Sequence, residues 1–244
     1  MAANDLGLPI ATGGVLENIM GGRAWQFGGI DEFAELKKYA AEQEKKSGGG
    51  SGPSFQFPKG TEEYYKKNYP AFYDFVKNVL PKMVGDSNFM KALSSASGFS
   101  VEELGEIFQY GKGMNLKVLD LPFGDAEYLP LGMTDSSAKN TAAIDTPLLN
   151  WFEKADLNTK SIEGLSNLMY MTAVIAHETA HLGDDTKRTV KYSDTGLSST
   201  YGDVGNFFES RAFGGRMGSY SSGVSGYIKN YVRANFNLLQ SIFK

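Results

Sequence analysis

Apolar positions recur at three- and four-residue spacing through Leu165, Leu168, Met169, Thr172, Ile175 and Ala176, which predicts one long helix leading into Met169–Asp185. Ser161 is its expected N-cap, and Glu163 falls in the first turn, where a negative charge suits the helix dipole. Gly183 is the expected C-terminal stop. From Leu168 to Ile175 the run is apolar nearly all round, so the helix should be buried on most sides. The run is too short and too interrupted to span a membrane.

The same patterning places the other elements. Thr61 is the expected cap of a helical stretch through Gly85, bent or split at Pro70. Its aromatics, Tyr64 to Phe75, suit packing better than a ligand cage. Ser87–Ser97 reads as a short helix, and Ser100 with Glu103 makes a capping box before a helix that ends by Gly111. Asn115–Leu121 alternates as a half-buried strand does, with Glu127–Gly132 and Thr141–Asp145 as shorter candidates. Pro147 opens a helix containing Trp151. A polar segment, Lys191–Gly202, precedes a helix over Asp203–Gly215, and a packing stripe from Tyr227 to Ile242 predicts a single last helix, Val224–Phe243. The expected fold is therefore α+β, mostly helical with a small mixed sheet.

Residues 1–53 read differently. Their first thirty positions are Gly-rich with little period, Asp31 caps a narrow amphipathic helix, and Ser47–Pro53 has linker composition. Two units are expected: a leader over 1–53, tethering an upstream module or covering the site, and a domain over 54–244. A disordered leader is the plainer alternative.

Bulk composition excludes more than it assigns. The chain has 244 residues, 41% hydrophobic and 21% charged, an ordinary globular balance. A net charge of −4 gives no electrostatic case for a nucleic-acid partner. Cysteine is absent, which rules out disulfides and thiolate metal sites and leaves the fold independent of redox compartment. The first residues lack the basic start and apolar core of a signal peptide.

Chemistry concentrates on the long helix. It holds both histidines of the chain, His177 and His181, with Glu178 directly after the first. Positions four apart share a helix face, so the two imidazoles can reach one ion, while Glu178 lies about 100° around the helix and can flank it. This is the H-E-x-x-H arrangement of a zinc hydrolase, with a carboxylate placed to take a proton from water. Zincin folds set a small sheet above such a helix, with an edge strand able to pair with an extended substrate. A catalytic zinc usually has three protein ligands, and here the third must be Asp or Glu. Glu209, among Phe207, Phe208 and Phe213, is the preferred choice, with an ion pair to Arg211 or Arg216 as its alternative role. Asp203 is second, though N-capping its helix is the simpler task for it. Asp184 lies beyond Gly183 and fits the orientation of an imidazole better than ligation. Tyr192, Tyr201, Tyr220 and Arg216 are the candidate oxyanion donors.

HETAHLGDD followed by GDVGNFFESRAFG resembles the zincin-like metallopeptidase toxin domains at the C-termini of bacterial polymorphic toxins, including Rhs-type proteins. In that family H-E-x-x-H is followed by an aromatic or apolar residue, Gly and Asp, matched by Leu182, Gly183 and Asp184. A later G-x-x-F-E segment is matched by Gly205, Phe208 and Glu209. The upstream SGFSVEELGEIFQYGKG is similar to the family's segment before its first strand. The likeness covers roughly Ser54 to Gly218. It implies a secreted or injected antibacterial protease that acts on protein or peptide inside a target cell and is neutralised in its producer by an immunity protein. A housekeeping zinc protease or amidase shares the same chemistry, and a binding module with a degenerate site is the non-enzymatic alternative.

Overall fold

The long helix is real and central. In the computed structural model, which describes residues 56–119, 132–134, 141–188, 190–218 and 223–244, it spans Ile162–Thr186. Before it come α1 (Glu62–Asn68), α2 (Pro70–Asp74), α3 (Ser87–Ser97), α4 (Val101–Ile107), β1 (Asn115–Leu119), β2 (Gly132–Thr134), β3 (Thr141–Asp145) and α5 (Thr146–Phe152). With the long helix as α6, there follow α7 (Ser198–Tyr201), α8 (Val204–Phe213), α9 (Gly226–Ala234) and α10 (Phe236–Ile242). The leader over 1–53 and the candidate strand from Glu127 to Leu131 lie outside the described residues.

Ser161 caps α6 by accepting the Gly164 N–H at 2.9 Å. From Gly164 to Ala176 every residue is buried, as the apolar run predicts. Around α6 pack α3, α8, α9 and β2. Gly183, expected to stop the helix, does something else. A Cβ there would meet the carbonyl oxygen of Ser97 at 2.3 Å and its Cβ at 2.5 Å. The glycine lets α6 press against the end of α3, and the helix runs one turn further, to Thr186. Arg188 then reaches back to donate to the Ala96 and Ser95 carbonyls, closing the C-terminus of α3.

Among the described residues three strands form one sheet in the order β1-β3-β2, with β1 and β3 parallel and β2 antiparallel to β3. The sheet is small and mixed, and the architecture is α+β. All five residues of β3 are buried, which suits the central strand. Gln56 adds a parallel bridge beside Asn115 on the outer side of β1. The opposite edge is β2, the strand that lies against α6.

Elsewhere the expected bounds hold along the N-terminal stretch and fail at the last helix. Thr61 precedes α1, but its hydroxyl donates to the Pro58 carbonyl and does not cap the helix. The stretch is split at Tyr69, with Pro70 opening α2, and continues through a π turn and a 3-10 turn to Gly85. The last helix is two helices, parted at Asn235, whose φ of −114° and ψ of 20° leave the helical region while its backbone N–H and side-chain amide both donate to the Tyr231 carbonyl. The aromatic N-terminal stretch is packing: Phe57 stacks on Tyr65 with ring centroids 4.4 Å apart, and the Tyr65 hydroxyl accepts the Val118 N–H.

Candidate metal centre

Both imidazoles project from one face of α6, as their spacing requires, and their Nε2 atoms stand 3.3 Å apart. The chain then turns back so that the N-terminus of α8 faces them. Asp203 caps that helix by accepting the Asn206 N–H at 2.6 Å, which fixes its carboxylate. The same Oδ1 lies 3.8 Å from Nε2 of His177 and 3.9 Å from Nε2 of His181. Among the described residues, His177, His181 and Asp203 are the group that could hold a metal ion.

Glu209, the carboxylate preferred from sequence as third ligand, is placed differently. One turn and a half further along α8, its Oε1 is 2.6 Å from Nδ1 of His177, on the ring edge away from His181. A carboxylate only accepts, so Nδ1 carries a proton, and in the neutral ring that a metal requires Nε2 turns its lone pair toward Asp203 and His181. The other oxygen of Glu209 accepts the Met217 N–H at 2.7 Å. Thus Glu209 braces the imidazole while Asp203 shares the space between the two Nε2 atoms.

The donor set suits an ion such as zinc. Tetrahedral bonds of ~2.0–2.1 Å set neighbouring ligand atoms about 3.3–3.4 Å apart. The two nitrogens already have that spacing, and the carboxylate oxygen is about half an ångström wider. Two imidazoles and one carboxylate also leave a fourth position open in such a geometry.

Electrostatics follow the same layout. Burial opposes a charge on His177, but Asp203, Glu209 and Glu178 together outweigh it and lift the imidazole to about 10. His181 goes the other way: burial, aided by the neighbouring His177, holds it below the usual range against the pull of Asp203. Glu178 is buried at 4% exposure, and its charge acts on His177.

The remaining expected residues divide. Asp184 does not bond an imidazole; its Oδ1 accepts the Tyr192 N–H at 2.9 Å and faces Arg188, tying the end of α6 to the following segment. Burial raises its carboxyl above the usual range. Arg216 donates to the Tyr201 carbonyl and passes close to Gly202. Tyr192 packs on Phe207, and its buried hydroxyl has no hydrogen-bond partner among the described residues. Burial and the charge of Asp203 push that phenol up to about 12. Tyr220 lies outside the described residues. Missing from the sequence argument were the N–H of Met217 and the packing role of Gly205, since backbone donors and close approaches leave no side-chain signature.

A long buried helix carrying two imidazoles, with a carboxylate brought to them by the next long helix and a buried glutamate alongside, defines a candidate metal-dependent hydrolase. The Metallopeptidase toxin 3 family matches residues 65–214, which is more than half of the chain, and the chain belongs to that family. No curated protein and no solved structure matches it.

Proposed function

We propose that the chain is a zinc-dependent metalloendopeptidase of zincin-like architecture, acting as an antibacterial toxin domain. The observation that carries this reading is the meeting of the two Nε2 atoms and the Asp203 Oδ1 beside buried Glu178. In this assignment His177, His181 and Asp203 hold the metal, and Glu209 orients His177 through Nδ1. The second choice from sequence, Asp203, thereby takes the ligand role expected for Glu209. Bound zinc supplies Lewis acidity and lowers the pKa of water from 15.7 toward about 7.

Glu178 takes the proton of the attacking water on its carboxylate and passes it to the leaving amine. Its position directly after His177 on α6 keeps it beside the two ligands without joining them. Tyr192 is the favoured oxyanion donor of those considered, because its hydroxyl is unpartnered and lies within the field of Asp203. Arg216 already donates to the Tyr201 backbone carbonyl, a bond that does not involve the Tyr201 hydroxyl. The edge strand β2, against α6, offers backbone groups to an extended substrate segment.

Family membership supports a protein substrate and delivery into target cells. A polymorphic, Rhs-type origin and a cognate immunity protein rest on the sequence resemblance. The deciding experiment combines metal analysis of the purified protein with a proteome comparison of cells expressing wild type and Glu178→Ala. One zinc per chain and new cleavage products only in the wild type are expected. A metal-free protein, or identical proteomes in the two cultures, would refute the reading.

A further inference from the structure

Gly205 sits in the first turn of α8, two residues after Asp203 and four before Glu209. Its backbone is helical, with no positive φ that would require glycine. Helix interiors favour alanine over glycine, so the choice calls for another cause. A Cβ at Gly205 would lie 2.3 Å from Cδ2, 2.3 Å from Nε2 and 2.4 Å from Cε1 of His177. Near-equal distances to three ring atoms put that carbon over the flat face of the imidazole, on the side of the metal-facing nitrogen. The residue is itself buried.

We propose that Gly205 is a positioning residue: the bare backbone of α8 forms a seat for the face of His177 and sets the plane in which Nε2 is presented. The inference rests on the metal-site reading above. Two constraints from one helix then fix the ring. Glu209 holds Nδ1 at 2.6 Å, which fixes the edge, and Gly205 admits the face. Asp203, on the same helix, stands where Nε2 is aimed. A single rigid element therefore places the carboxylate and orients the ring that must share an ion with it. Any side chain at 205 has to displace the ring or the helix, and either movement separates Nε2 from Asp203.

A double-mutant cycle on the full chain tests this, using Gly205→Ala, His177→Ala and the pair. In metal-free protein, Gly205→Ala should lower the melting temperature in the His177 background and leave it unchanged in the His177→Ala background, where the ring is gone. Nitrogen-15 spectra of metal-free Gly205→Ala should show the His177 Nδ1–H losing the hydrogen-bonded shift set by Glu209. Zinc affinity by chelator competition should fall at least about tenfold, as for other losses of ligand orientation. Equal destabilisation in both backgrounds, or unchanged His177 spectra, would overturn the proposal. If Gly205→Ala alone does not fold, recovery of folding in the double variant supports the seat, and failure there too refutes it. A wild-type protein that binds no zinc would sink the metal assignment, while the metal-free cycle still decides the role of Gly205.

Discussion

Glu209 Oε1 stands 2.6 Å from Nδ1 of His177, on the edge of the ring opposite the nitrogen that faces His181 and Asp203. One carboxylate holds the ring edge and the other faces the two Nε2 atoms. Glu209→Gln should therefore weaken zinc binding by about 10–100-fold, the usual cost of losing a ligand's orienting partner. Gln would also turn an amide N–H toward either Nδ1–H or the Met217 N–H, both of which need an acceptor. Chelator competition measures the effect; a loss of all binding would show that Glu209 is itself a ligand.

Asp203 has two tasks that one substitution can separate. Asparagine caps a helix about as well as aspartate. Asp203→Asn should keep the melting temperature of the metal-free protein yet lose more zinc affinity than Glu209→Gln. Asp203→Ala should lose both, with a capping cost of about 0.5–2 kcal/mol. Equal zinc affinity for Asp203→Asn and wild type would remove Asp203 from the metal site.

Glu178→Gln should retain zinc and fold while slowing peptide hydrolysis by the ~10²–10⁴-fold typical of a lost general base. The test pairs metal content with turnover of a cleaved peptide. Loss of metal in this variant would move Glu178 from base to ligand.

Gly183→Ala pits two effects against each other. Helix propensity would gain about 1 kcal/mol. Against it, the new methyl meets the Ser97 carbonyl oxygen at 2.3 Å, and overpacking of this kind costs about 1–3 kcal/mol. The neighbour is backbone at the end of α3 and cannot rotate away, so net destabilisation is expected in thermal or urea melts. A rise in stability would show that α6 and α3 can part freely.

The boundary near Ser54 can also be tested directly. A chain beginning there should fold, bind zinc and keep its activity, because Ser47–Pro53 has linker composition and the family match begins at residue 65. Loss of the cooperative melt would mean that Phe33, Leu36 and Tyr39, the apolar stripe of the helix expected after Asp31, belong to the core.

Much of this was legible because the signals are local. Ser161, Ser100 with Glu103, and Asp203 cap their helices as side-chain chemistry dictates. The i, i+4 histidines could only share a face. The long-range choices were not legible. Asp203 and Glu209 differ in role through the direction from which α8 meets α6, and no spacing encodes that angle. Gly183 looks like a helix stop until Ser97, distant in sequence, is seen pressing on it. The break at Asn235 was a local cue outweighed by an unbroken apolar stripe.

The burial of α6 sets how the site can come apart. Amides from Met169 to Ala176 lie within the core and should exchange with solvent only when the whole domain opens. The segment from Ser193 to Thr200, by contrast, is largely exposed and carries two short turns before Asp203. The two histidines are thus anchored in a buried helix, and Asp203 follows an exposed stretch. On the proposed ligand set, release of an ion would not await unfolding; it would begin where Asp203 lets go, and the two histidines would stay in register to receive another.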